Sequence, residues 1–256
     1  MDGSDSNTAT FALGYADAAA LSFSRDVALK ANRRTGTPSP PPLLDVRPRV
    51  WFNPDLISKD YIFPGLIAVI MMVITALLTS LTVAREWETG TMEQLISTPL
   101  KGPELIIGKL VPYFAIGILD LVLSVIVGEF VFDIPLRGSL VLLFGMSVLF
   151  LAGALSLGML ISIVARNQRL ASQVAMVTTM LPAFLLSGFI FPIDNMPLPI
   201  RAITHIITAR YFVVILRGIY LKDVGLGVLA GEAGFLAAFA ALALSLSIWK
   251  FRKKIV

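Results

Sequence analysis

Five apolar runs set the pattern of this chain, at about 63–83, 110–132, 139–165, 170–191 and 227–249. Each has enough residues to cross ~30 Å of hydrocarbon at ~1.5 Å per residue, so each predicts a membrane-spanning helix. A polar stretch at 84–109 separates the first two runs, and a mixed stretch at 192–222 separates the last two. Residues 1–60 differ in character from everything that follows, with seven Lys/Arg and seven Asp/Glu.

The stretch at 84–109 carries its own helix signals. Thr91 with Gln94 three residues on has the capping-box spacing, in which side chains satisfy the first free N–H groups. Pro99 stops that helix, because the residue before a proline is pushed out of the α region. Met92, Leu95 and Ile96 fall on one side, while Glu93 and Gln94 face elsewhere. Gly102-Pro103 starts a second helix, with Glu104 favouring the dipole in its first turn, and this helix continues into the second apolar run. The predicted shape is a span that leaves the membrane, a short helix lying across its mouth, and a return.

The stretch at 192–222 is apolar enough to suggest a sixth span. Arg201, His205, Arg210 and Arg217 argue against it, since each charge at the centre of a span costs at least ~2.5 kcal/mol. Ile200, Ile203, Ile206 and Ile207 line one helical face and Arg201, Thr204, His205 and Thr208 the other, which predicts an interfacial helix. With Pro192, Pro197 and Pro199 it forms a hairpin dipping into the outer leaflet. The N-terminal 60 residues read as a short amphipathic stretch near 16–31 and a proline-rich break at 38–42, too small for a core of their own.

Composition narrows the class. The chain is 56% hydrophobic and 15% charged, against about a quarter charged in soluble domains. No cysteine and one histidine exclude disulfide frameworks, thiol catalysis and Cys/His metal sites. The cations sit mainly at the ends of apolar runs, which suits a membrane surface and not nucleic acid. Arg85, Lys101, Lys109, Arg166, Arg169 and the terminal Lys250, Arg252, Lys253 and Lys254 fall on one side. Arg137, Arg201, Arg210, Arg217 and Lys222 fall on the other, so the positive-inside rule places the 84–109 stretch and the C-terminus in the cytoplasm.

Few residues carry candidate chemistry. The one Gly-Lys pair, Gly108-Lys109, lacks the rest of a phosphate-cradling loop, so ATP hydrolysis by that route is not expected of this chain. Asp120 lies near the middle of the second run, where a carboxylate is costly unless it is paired, protonated or wetted, and it is a candidate for a translocation path. Glu129 and Glu232, nearer the outer ends of their runs, are weaker candidates. Asp120 and Glu129 point about 180° apart around their helix. Small residues at Gly227/Gly231, Ala230/Gly234 and Ala154/Gly158 have the spacing of close helix contacts, within the chain or between two copies.

The motif Arg85-Glu86-Trp87-Glu88-Thr89-Gly90-Thr91-Met92-Glu93-Gln94-Leu95, followed by Thr98-Pro99 and Gly108-Lys109, resembles the cytoplasmic coupling region of permease subunits in the type-2 ATP-binding-cassette exporter family. A second block, Leu186-Ser187-Gly188-Phe189-Ile190-Phe191-Pro192-Ile193-Asp194-Asn195-Met196-Pro197, resembles that family's turn at the outer surface. The resemblance implies an all-α polytopic membrane protein. It would have five transmembrane helices (transmembrane domain 61–256), a coupling helix, and an outer hairpin containing Gly188, Pro192, Asp194 and Pro197.

The resemblance also implies an exporter of the bacterial inner membrane, with no catalytic residue and no cofactor or metal of its own. Substrates in that family range over drugs, lipids, polysaccharides and ions, and the apolar composition of this chain points to drugs or other amphiphiles, a multidrug-type efflux. ATP and Mg would belong to separate ATPase subunits. Those would contact Glu86, Glu88, Thr91, Glu93 and Gln94, with Met92, Leu95 and Ile96 packing into a groove, and a second permease subunit would complete a dimer. The opening Asp2-Gly3-Ser4-Asp5-Ser6-Asn7-Thr8-Ala9 is similar to the interior of the extracytoplasmic domain such permeases carry between their first and second spans. A chain beginning inside that domain, without an upstream span, is the expectation. An ion-gradient-driven transporter or channel working through Asp120, and a scaffold whose spans only anchor the soluble segment, are the alternatives.

Overall fold

The computed structural model describes residues 6–35, 51 and 58–251. The proline-rich break at 38–42, the start of the Asp2 to Ala9 motif and the terminal Arg252, Lys253 and Lys254 lie outside the described residues. The chain divides into two compact units, Met1–Tyr61 and Ile62–Val256.

The first unit contains α1 (Ser6–Thr35), one continuous helix where the sequence predicts only a short amphipathic piece. Its alanines, clustered at 16–20, are the strongest helix formers available. Phe11, Tyr15, Leu21, Phe23 and Leu29 are all exposed.

Among the described residues five helices are long and apolar enough to cross a membrane: α2 (Ser58–Thr89), α4 (Gly102–Phe130), α5 (Leu140–Ala165), the segment Gln168–Leu186, and α10 (Leu226–Lys250). The protein is therefore an all-helical polytopic membrane protein, as the five apolar runs predict. Burial separates the five: 61% of the apolar window of α5 and 56% of that of α2 is covered, against 17–22% in the others. The centre is accordingly α5, with α2 beside it and the remaining spans turning apolar faces to lipid.

The contact between α2 and α5 depends on Gly158, because a β-carbon there would lie 1.9 Å from Thr79 Oγ1 and 2.6 Å from the Ala76 carbonyl oxygen. On another side, Gly153 admits Phe239 and Ala240 of α10, and Ser247 Oγ of α10 donates to the Ser156 carbonyl at 3.0 Å. Of the three predicted small-residue pairs, Ala154/Gly158 is the one that packs against another helix among the described residues. Gly227, Gly231 and Gly234 have no atom near the place of a β-carbon.

The fourth span is interrupted. α6 (Gln168–Ala175) passes through a π-helical turn (Met176–Met180) into α7 (Leu181–Leu186), where Pro182 stands at the second position. A proline cannot donate to the preceding turn, and a wider turn absorbs the mismatch. The helix ends at Leu186, five residues short of the predicted 191, because Gly188 takes a left-handed φ of 82° and reverses the chain.

A short 3₁₀ turn (Ile193–Asn195) then leads to α8 (Leu198–Thr204) and α9 (Thr208–Lys222). These two meet at 81°, so the predicted amphipathic helix is broken at its middle. α8 is exposed along most of its length, with Ile200, Arg201 and Ile203 all open and only Thr204 buried, so the predicted apolar and polar faces are not separated by burial. In contrast, α9 drives Phe212, Ile215, Leu216 and Ile219 into the core, where Phe212 stacks on Phe150 at 4.0 Å between ring centroids.

Candidate functional site

The site is the elbow joining α2, α3 (Thr91–Ser97) and α4. α2 stays helical for six residues past the predicted end at 83, to Thr89, and Gly90 at φ 77° breaks it. Gly90, and not Thr91, holds the N-cap position of α3, and no side-chain cap is made. The Thr91 hydroxyl instead lies 3.1 Å from that of Thr89. As predicted, α3 stops before Pro99, with Thr98 extended, and α4 begins at Gly102-Pro103. Glu104 closes that start by accepting the Lys101 N–H at 2.9 Å.

Met92 is fully buried in a satellite cluster with Val83, Leu105, Ile106, Met159, Ile163 and Phe251, and Leu95 and Trp87 pack on its edge. Its side chain is therefore occupied inside the chain, which leaves Thr91, Glu93, Gln94 and Ser97 as the exposed side of α3. The side chain of Ile96 lies outside the described residues.

Four attachments fix the elbow to its neighbours. Glu86 Oε1 pairs with Lys109 Nζ of α4, both partly buried. Glu88 Oε2 accepts Gln168 Nε2 at 2.9 Å and the Gln168 N–H at 3.2 Å, reaching the start of α6. The Arg166 guanidinium, in the turn between α5 and α6, lies 4.8 Å from the centre of the Trp87 ring. Ser162 Oγ of α5 accepts the Val83 and Ala84 N–H groups, each at 2.9 Å. The sequence marks Lys109 as part of the coupling motif and Arg166 as an inner cation, but it gives neither a partner and does not mark Ser162 or Gln168, which lie some 80 residues from the groups they meet.

The other predicted positions lie elsewhere. Asp120 is half-buried on α4, with Oδ2 covered and making no hydrogen bond. Glu129 is exposed near the far end of the same helix, and Glu232 is half-buried on α10. Among the described residues no three acidic or histidine side chains gather in a way that could hold a metal ion.

At the end opposite the elbow, Asp194 pairs with Arg201 at 3.3 Å while Pro192 and Pro197 precede the short helices of the hairpin. Arg217 was read only as a charge against spanning. It donates to the carbonyls of Gly188 at 2.9 Å and Phe189 at 3.2 Å, so α9 clamps the hairpin turn.

Four apolar helices around a buried α5, with a cross-linked elbow at one end and a clamped hairpin at the other, define an integral membrane protein. The chain belongs to the ABC-2 family of transporter proteins, whose family model matches residues 1–249. It is 45% identical over 254 residues to the probable multidrug ABC transporter permease YbhS of Escherichia coli, covering 99% of this chain and 66% of that protein. It is 32% identical over 256 residues to the probable multidrug ABC transporter permease YbhR of the same organism, covering 100% and 67%. The inner membrane transport permease YhhJ is 26% identical over 220 residues, covering 84% and 57%. The chain thus spans about two thirds of the length of the first two relatives.

Proposed function

We propose that this chain forms the transmembrane part of an ATP-binding-cassette exporter, driven by a separate ATPase subunit that docks at α3. The observation carrying this reading is the attachment of the elbow to α4, α5 and α6 by Lys109, Ser162 and Gln168. A push on α3 would move those helices together. A coupling element on the cytoplasmic face, in keeping with the positive-inside count, would put the C-terminus on the same side and the hairpin outside, in a bacterial inner membrane. ATP and Mg belong to the ATPase, and this chain contributes mechanics and not catalysis.

The relatives described as multidrug permeases support drugs or other amphiphiles as substrates, and a second permease subunit would complete the path. The N-terminal unit, with α1, corresponds in this reading to part of an extracytoplasmic domain. Asp120, with Glu129 and Glu232 as lesser candidates, would contribute polarity along the path. Against driving by an ion gradient through Asp120 stands the naming of the relatives as ABC transporter permeases.

The test is co-purification and ATP-dependent export with the ATPase. Glu93→Lys with Gln94→Lys changes only exposed positions of α3 and should release the ATPase while leaving the permease folded. Export that persists without nucleotide would overturn the reading.

A further inference from the structure

Beside the elbow, α4, α5 and α10 enclose a cleft of about 330 Å³ that opens toward lipid. Its walls are Ile107, Val111 and Phe114 from α4, Ala152 and Leu155 from α5, and Leu244 from α10, and almost none of its surface is polar. An apolar cleft alone does not name its occupant, but its mouth does.

The start of α4 meets the end of α10 at Gly102, where a β-carbon would lie 3.3 Å from the Phe251 ring. Their sequence neighbours Lys101 and Lys250 are both exposed. Each lysine is six residues from the cleft wall on its own helix, at Ile107 and Leu244, which is about 9 Å along the axis. Lys109 is not available to an anion here because Glu86 holds it, and the Glu104 carboxylate is turned back onto the Lys101 N–H. Trp249, 68% exposed beside Lys250, marks the level of the headgroups, where tryptophan concentrates in membrane proteins.

We propose that this cleft holds one acyl chain of an anionic phospholipid, whose phosphate lies between Lys101 and Lys250. The proposal does not depend on the export reading. Two cations at headgroup height with a chain-wide apolar slot below them match an anionic lipid in both charge and depth. A free phosphate would use the lysines and leave the slot idle.

The test uses the full chain in neutral detergent micelles, with native mass spectrometry counting retained dioleoylphosphatidylglycerol and dioleoylphosphatidylcholine. One phosphatidylglycerol per chain is expected, in preference to phosphatidylcholine. Lys101→Gln with Lys250→Gln should weaken its retention roughly 30-fold, taking each cation's contribution near an anionic surface. Val111→Trp, filling the cleft from an exposed position, should abolish retention of both lipids, and Ile107→Trp reads the same cleft should Val111→Trp fail to fold. Equal retention of the two lipids, displacement by inorganic phosphate, or full retention in both cleft-filling variants would overturn the proposal. Conversion of a dimer to monomers by the tryptophans would overturn it too, since the cleft would then be an interface between copies.

Discussion

The hydroxyl of Ser162 on α5 accepts the backbone N–H of Val83 on α2 at 2.9 Å. One turn back on α2, the Thr79 carbonyl takes the Thr82 hydroxyl at 2.7 Å, so side chains join the hydrogen bonding of the α2 backbone just where the helix leaves the core for the elbow. These bonds tie α2 to α5 at the level where α2 emerges toward the elbow.

Ser162→Ala should therefore destabilise the protein by about 1–3 kcal/mol, the range for a buried donor that loses its partner. Thermal unfolding in detergent checks the loss. In the assembled transporter the same variant should lower export more than it lowers ATPase docking, because α3 is untouched.

Glu86 and Lys109 offer a cleaner measure of coupling between α2 and α4. Either single change to Gln leaves one charge partly buried beside the elbow. The double change Glu86→Gln with Lys109→Gln should recover part of the loss, giving an interaction energy of about 0.5–3 kcal/mol in a double-mutant cycle. Additive single effects would show that the pair does not tie the two helices.

Gly158 and Gly231 are predicted to behave in opposite ways although both sit in small-residue patterns. Gly158→Val puts atoms into Thr79 and the Ala76 carbonyl and should cost about 1–3 kcal/mol or more. Gly231→Ala meets nothing among the described residues and should leave stability unchanged or slightly raised by better helix propensity. Monodisperse yield after extraction separates the two, and a loss at Gly231 would instead locate a contact between copies.

Arg217→Met removes both donors from the hairpin turn, and Gly188→Ala forces a β-carbon into a left-handed backbone at about 1–2 kcal/mol. Both should speed amide exchange across 186–192 while exchange in α5 stays unchanged. Unaltered protection in that turn would remove the clamp.

Asp120→Leu should raise the melting temperature, since a half-buried carboxylate with one oxygen unpaired is replaced by a side chain suited to lipid. If Asp120 serves the path, export falls while stability rises, the usual trade at functional polar groups. Export that survives at normal expression excludes that role.

The sequence by itself determined that this is a five-span helical membrane protein with a short helix between the first two spans and a hairpin before the last. Run length against bilayer thickness and the placement of glycine and proline are local properties, and they appear in the order of residues. The sequence also marked α3 as two-faced, but not which body its apolar side would meet. Met92 could have entered a partner's groove, and only packing against Val83, Ile106, Met159 and Phe251 committed it inward.

The same limit explains the interfacial helix that broke into α8 and α9. An amphipathic pattern over 200–208 is compatible with one straight helix, and the 81° bend comes from Phe212 and its neighbours being buried against α5. Tertiary structure alone brought Ser162 and Gln168 to the elbow, paired Lys109 with Glu86 and set Arg217 on the Gly188 turn. Each of these contacts joins chain positions that periodicity cannot relate, because the energy that selects them exists only once the helices lie side by side.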